Sequence, residues 1–216
     1  MKLSLSLGLV AASAVMVNAQ VIGDRATLNS ILGTYVTDDF EAFNIGDGDA
    51  TATGVPVLDN STVVSGQGPG LVNLGVTYSD PGNAGVQWNG HNYYSINTRS
   101  ILVNGGGSFQ IGYSGSTIAM GLDLKSFAGY AYSGTMSVYS GATLVDTVAF
   151  SVDGAGGAST FVGYQHGAGI TSVTLNSPTY SWSPIIDDHT FAAVPEPGTI
   201  AALGAGVLLL IRKRRK

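Results

Sequence analysis

Two pairs of adjacent carboxylates stand near opposite ends of the central part of the chain. Asp38 and Asp39 lie in TDDFEAFN (Thr37–Asn44), with Glu41 close behind, and Asp187 and Asp188 lie in IIDDHTFA (Ile185–Ala192). Both sets sit inside apolar stretches. The first and last strands of a sandwich are commonly neighbours, so these charges would repel unless their side chains alternate outward or share a cation. Hard carboxylate oxygens suit Ca2+, which takes six to eight oxygen ligands, some of them backbone carbonyls. One structural Ca2+ held by Glu41, Asp187, Asp39 and Asp188 is therefore the metal expectation. The alternative is that Asp38, Asp39 and Asp188 are solvated beside buried Phe40 and Phe191. Asp47 and Asp49 in GDGDATATG (Gly46–Gly54) lack the later spacing and closing Glu of an EF-hand loop and read as a turn.

A second constellation is VQWNGHNYYSINT (Val86–Thr98), which concentrates Trp88, Tyr93 and Tyr94 with Asn89, His91, Asn92 and Asn97. Sugars are recognised by that mixture, because an aromatic face covers the C–H groups of a ring while amides pair with its hydroxyls. Trp88, Tyr93, Tyr94 and Asn92 are the expected carbohydrate-binding residues, the alternative being aromatics that plug the end of a sandwich. Trp182 in TYSWSP carries the same ambiguity. For catalysis the chain offers less. His91, His166 and His189 are far apart, and no nucleophile elbow, zinc-binding helix or phosphate loop occurs. No two carboxylates are singled out for glycoside hydrolysis. The expectation is a protein that is not an enzyme.

The elements that must position these residues read as strands. Ser116–Leu124, Thr135–Ser140, Leu144–Phe150, Ala158–Tyr164, Ile170–Asn176 and Ile185–Phe191 are short, rich in β-branched or aromatic residues and separated by Gly, Ser, Asn or Pro. VYSGATLV is a hairpin signal with Ser140, Gly141 and Ala142 in the turn. Apolar residues alternate with small polar ones, as in Met136 and Val138, so one face of each strand is buried. A weak helical period appears only over Arg25–Tyr35. Closely spaced strands without crossover helices predict an all-β, antiparallel sandwich over residues 20–193, with a jelly roll as the expected topology and immunoglobulin-like connectivity as the alternative.

Charge narrows the partners. Charged residues make up 11% of the chain, and there is no cysteine, so disulfides and thiolate metal sites are excluded. Residues 20–193 hold every acidic residue except Glu196 but only three basic ones, Arg25, Arg99 and Lys125. Nucleic acid is excluded as a partner. An acidic polysaccharide would be repelled unless calcium bridged it, so neutral glycans or other matrix proteins fit better.

The two ends of the chain read as targeting segments. Lys2, the apolar run Leu3–Val17 and the small residues Val17 and Ala19 form an export signal over residues 1–19, with cleavage after Ala19 and a mature start at Gln20. A membrane-spanning anchor is the alternative. Residues 194–216 read VPEPGTIAALGAGVLLLIRKRRK. The apolar stretch Thr199–Ile211 has 13 residues, about 20 Å of helix against a hydrocarbon core of about 30 Å. Snorkelling of Arg212 and Lys213 recovers part of that mismatch, and the terminal basic cluster stays on the cytoplasmic side. Pro195 and Pro197 hold the chain extended just outside the bilayer.

This order of Pro-Glu-Pro, short transmembrane helix and basic tail resembles the PEP-CTERM sorting signal of Gram-negative bacteria. The resemblance implies recognition of Pro195, Glu196 and Pro197 by an exosortase, transient anchoring in the inner membrane, and release to the cell surface or medium in species that make exopolysaccharide. The body resembles the calcium-containing jelly-roll carbohydrate-binding modules, in which Phe-Glu near the start and Ile-Asp-Asp near the end frame an ion. Glu41 and Asp187 are the matching positions. The expectation is an exported matrix protein associated with exopolysaccharide or biofilm and able to bind carbohydrate. The alternatives are a purely structural or adhesive matrix component and a secreted glycoside hydrolase.

Overall fold

The computed structural model describes residues 19–82, 85–103, 107–178 and 183–192. The expected export signal before Ala19, Trp182, the motif Pro195, Glu196 and Pro197, and the stretch Thr199–Ile211 lie outside the described residues. No helix among the described residues is long and apolar enough to cross a membrane.

The elements run β1 (Ala19–Ile22), α1 (Arg25–Leu32), β2 (Tyr35–Asp38), β3 (Ala50–Ala52), β4 (Val57–Asp59), β5 (Val76–Ser79), β6 (Val86–Asn89), β7 (Ser100–Val103), β8 (Ser108–Lys125), β9 (Tyr132–Ser140), β10 (Thr143–Val152), β11 (Ser159–Asn176) and β12 (Ile185–Ala192). The weak helical period becomes the two-turn α1. Asp24 caps its start by accepting from Thr27 N at 2.8 Å, and Gly33 ends it. Leu28 presses into a small cluster with Ile22 and Ala119, which covers part of the sheet's outer face.

The strands form one antiparallel, 12-stranded sheet in the order β10-β9-β11-β8-β12-β7-β6-β3, with β1 on β11, β2 on β12 and β5 joining β4 to β8. This sheet folds over into a sandwich because β8 and β11 carry different neighbours along their two halves. Residues 172–176 of β11 pair with β9, whereas residues 163–166 pair with β1. The inward side also changes parity. In β8 the apolar residues facing the main core are Phe109, Ile111 and Tyr113, then Met120, Leu122 and Leu124; in β11 they are Val162, Tyr164 and Ile170, then Val173 and Leu175. Irregular register between Gln165 and Ser172 of β11 absorbs the switch, as a β-bulge does. Gly169 sits in that bend at φ +91°, and a Cβ there would meet Ser116 at 2.7 Å. Both halves therefore face one core, which joins Phe109 and Ile111 to Met120, Met136, Val138, Ile185 and Phe191.

The sequence expectation divides β11 into two strands, 158–164 and 170–176, on either side of QHGAG (Gln165–Gly169). The chain instead passes through that stretch as one bent strand. The β9–β10 turn falls at Gly141–Ala142, within the expected hairpin. At the free edge, the N–H of Thr147 donates to Asp146 Oδ1 at 2.7 Å and the carbonyl of Ser151 accepts from Thr160. Engaged edge groups of this kind discourage uncontrolled strand addition.

Candidate functional site

The two acidic segments do become neighbours, since β2 pairs with β12 and places Asp38 opposite His189. Their carboxylates then go to different partners. Asp38 turns into the core: its Oδ1 accepts from the N–H and the Nδ2 of Asn73, and its Oδ2 accepts from Tyr78 Oη at 2.5 Å. Tyr78 has one proton, which goes to Asp38, so His189 Nδ1–H donates to Tyr78 Oη at 2.7 Å. His189 Nε2 is then the acceptor for Tyr113 Oη at 3.0 Å. Asp38, Tyr78, Tyr113 and His189 are all buried. Burial holds His189 neutral, with its pKa down at about 3, the field of Arg25 adding to the effect. Burial also raises Asp38, against the hydrogen bonds from Tyr78 and Asn73. This chain stitches β2, β5, β8 and β12 together and is closed on itself.

Glu41 accepts from the backbone N–H of Arg99 at 3.0 Å and pairs with Arg99 Nη1 at 3.0 Å and His91 Nε2 at 2.7 Å. Burial works to raise its carboxyl, but the Arg99 N–H, His91 and the Arg99 guanidinium together hold it below its ordinary value. Asp187 is buried with Lys125, whose Nζ lies 3.3 Å from Oδ2, and Thr98 donates to the same oxygen at 3.0 Å. Burial pushes Asp187 up to about 6 despite the Lys125 charge. Asp188 lies 3.9 Å from Arg25, and burial raises it as well. Asp39 is exposed and accepts from the Glu41 N–H.

Among the described residues no three His, Asp or Glu side chains group as a metal site. Of the carboxylates named for Ca2+, Glu41 pairs with Arg99 and His91, Asp187 with Lys125, and Asp188 lies near Arg25, while Asp39 accepts only the Glu41 N–H. Far-separated residues, Arg99 for Glu41 and Lys125 for Asp187, thus supply positive charge beside two of these four carboxylates. Thermal unfolding in millimolar calcium and in chelator is expected to give one midpoint. A midpoint raised by calcium would reveal an oxygen site that these pairings do not explain.

The aromatic segment splits in two. Trp88 is fully buried in β6, stacked on Phe43 with ring centroids 4.9 Å apart, and its Nε1 donates to the Phe40 carbonyl at 3.0 Å. It is core, not a surface for sugar. Strand alternation does not predict this, because all four residues of β6 are buried. Tyr93 and Tyr94 stand at a tight turn, where Ile96 N donates to the Tyr93 carbonyl at 3.1 Å. The two turn residues, Tyr94 (φ +46°) and Ser95 (φ +69°), and neighbouring Asn92 (φ +61°) are all left-handed. A bulky residue held there costs about 1–3 kcal/mol, and such strain gathers at functional sites.

That strain projects a ring. Tyr94 is 61% exposed, yet its carbonyl is tied to Ala128 N at 3.2 Å. The tie brings in two residues the sequence reading missed, Phe127 and Tyr130. Tyr94 lies 5.0 Å from Phe127 and 4.8 Å from Tyr93, ring centroid to centroid. Tyr93, Tyr94, Phe127 and Tyr130 together line a depression of about 100 Å3. Tyr130 is 58% exposed, and Asn92 is exposed beside the turn. The repeated aromatics of SFAGYAYSG (Ser126–Gly134) were the available signal, but nothing local links them to Tyr94.

The underlayer of this cluster is charged and closed. Lys125 also donates to the Gly157 carbonyl at 3.2 Å, and a Cβ on Gly157 would lie 3.5 Å from the Ser95 carbonyl. All three basic side chains of the body are paired: Arg25 with Asp123 at 2.8 Å, Arg99 with Glu41 and Lys125 with Asp187. The aromatic surface therefore has no uncommitted cation beneath it.

Beyond the described residues, positions 193–216 match the family described as the PEP-CTERM protein-sorting motif. No curated protein matches the chain. The match spans the expected motif residues Pro195, Glu196 and Pro197, the apolar stretch and the basic cluster. The chain thus carries a PEP-CTERM sorting motif, the mark of an exported protein that an exosortase sorts to the cell envelope or surface after transient membrane anchoring.

Proposed function

We propose that this protein is a non-catalytic component of the extracellular matrix or cell surface whose sandwich binds neutral stretches of exopolysaccharide through Tyr93, Tyr94, Phe127 and Tyr130. The observation that carries the reading is Tyr94, a large ring held in a left-handed turn so that it faces solvent beside Tyr130. A planar aromatic surface offers a face to sugar C–H groups, and exposed Asn92 offers an amide for hydroxyls. The paired state of Arg25, Arg99 and Lys125 favours an uncharged ligand. The same pairing argues against hydrolysis, since Glu41 and Asp187 are both tied to cations. Export through a signal over residues 1–19 and exosortase handling of Pro195–Pro197 deliver the body to the matrix.

Tyr94→Ala and Tyr130→Ala are each expected to weaken binding to the host's own neutral polysaccharide about tenfold, as removal of an exposed aromatic anchor does. Affinity electrophoresis or calorimetry reads the change, and the melting temperature is expected to stay put because both rings are largely in solvent. Equal binding by wild type and both variants would leave the structural matrix role in place of the glycan-binding one.

A further inference from the structure

The two poles of the sandwich differ in chemistry. β12 runs from Ile185, paired with Lys125, to Phe191, paired with Met120, and Ala192, paired with Tyr35. The aromatic cluster belongs to the first pole, because Phe127 and Tyr130 follow Lys125. The second pole is where β8 and β11 bend, where β1 begins and where β12 ends. Thr117 Oγ1 accepts from Ala192 N there, and the Gly141 carbonyl accepts from Thr171. Eight residues of β12 separate the poles, about 23 Å at roughly 3.3 Å per step.

The segments that meet at this second pole are 19–22, 33–36, 114–119, 140–144 and 165–170, and none contains Asp or Glu. Val21, Tyr35, Ile118 and Leu144 stand on these segments with 42–52% of their surface exposed. The flanking carboxylates are held by neighbours: Asp146 by the Thr147 N–H, and Asp59, which shares a shallow depression with Ser114, by Ser61 and Thr62.

The chain leaves this pole toward the sorting segment. Residues 193–198 separate Ala192 from the apolar stretch that starts at Thr199, and six extended residues reach at most about 20 Å. We infer that the charge-free pole bearing Val21, Tyr35, Ile118 and Leu144 rests on the lipid headgroup surface while the C-terminal segment is anchored, with the aromatic pole facing away. The inference rests on reading Thr199–Ile211 as a temporary membrane anchor. A leaflet that carries anionic lipid repels acidic surface within a Debye length, and a pole whose segments lack carboxylates is the part of this body it repels least. Tyrosine is favoured at the membrane–water interface, which suits Tyr35.

Because the chain has no cysteine, single substitutions report position cleanly. Tyr35→Cys, Ile118→Cys, Ala155→Cys at the aromatic pole and Ala205→Cys in the anchor are spin-labelled in the full chain. The exported protein is then reconstituted in phosphatidylethanolamine–phosphatidylglycerol vesicles doped with a nickel-chelating lipid. Labels at 35 and 118 are expected to relax several-fold more than the label at 155, while the label at 205 is shielded from aqueous nickel. Equal relaxation at 35, 118 and 155 with a shielded 205 would overturn the docking pole and leave the anchor standing. An exposed label at 205 would overturn both. Spin–spin broadening at 118 that grows with protein density, without relaxation by the headgroup nickel, would assign the pole to a second copy and overturn the lipid contact.

Discussion

Between pH 7 and pH 4 the folded body is expected to lose only about 1 kcal/mol of stability, and Asp187→Asn is expected to deepen that loss to about 3 kcal/mol. Two buried groups with opposite signs produce the near-balance. His189 has its folded pKa near 3 against an ordinary 6.5, so the unfolded chain takes up its proton first. Its contribution falls once the pH drops below 6.5, by about 3 kcal/mol at pH 4. Asp187 is raised to about 6 from an ordinary 3.8, so here the native state takes up the proton first. Stability rises as the pH falls through 6, by about 2 kcal/mol at pH 4. Asp38 and Asp188, raised by burial, act in the same direction as Asp187, while Glu41, held low chiefly by Arg99 and His91 against the upward pull of burial, acts in the opposite one. Asparagine at 187 keeps an acceptor for Thr98 but no longer titrates, exposing the His189 slope. Urea unfolding at stepped pH measures it. A wild type that itself loses about 3 kcal/mol over this range, or a variant that stays level, would show that one of the two groups does not titrate as described.

Trp88→Ala is expected to destabilise the body by about 3–5 kcal/mol, a large part of what a domain of this size has to lose. The indole fills the centre of the aromatic packing between β6 and the 40–43 segment. It stacks on Phe43, meets Phe40 edge-on at 5.8 Å and satisfies the Phe40 carbonyl. Phe40 is itself left-handed at φ +55°, so its conformation depends on the rings around it. Removing Trp88 opens a cavity, strands a buried acceptor and releases Phe40 at once. The melting midpoint should fall by about 10 °C or more. The variant's glycan affinity, measured where it is still folded, should match wild type, the reverse of the Tyr94→Ala pattern. A small shift in melting with lost binding would return Trp88 to the surface role that its neighbours in sequence suggest.

The strand character of β9, β10 and β12 and the position of the β9–β10 turn were legible because each depends on residues close in the chain. Alternation marks Met136 and Val138, and glycine marks the turn; of α1 only a weak period was legible, and its Asp24 cap emerges from the structure. The long strands β8 and β11 were not legible as single elements. Their middles are Gly- and Ser-rich, and a change of inward parity erases the two-residue period where the strands bend. The site divides the same way. Composition draws Tyr93, Tyr94 and Trp88 together, and the structure keeps only Tyr93 and Tyr94 at one turn; Trp88 is core, because a strand buried on both faces shows no alternation. The partners of Glu41 and Asp187 were invisible for a further reason: Arg99 and Lys125 reach them only through the folded topology, and nothing in the local sequence separates a carboxylate awaiting a metal from one awaiting a guanidinium. His189 looked isolated in sequence, and only the pairing of β2 with β12 brings it to Asp38.

The place of β12 has a mechanical consequence. The strand that leads to the sorting segment is interior, hydrogen-bonded to β8 along one side and to β2 along the other. Those bonds lie across the strand axis, so traction on the C-terminal end meets both ladders in shear and stretches many bonds together. A terminal strand at a sheet margin would peel away one bond at a time. Whatever grips the C-terminal end therefore tugs on the part of the body that gives way last.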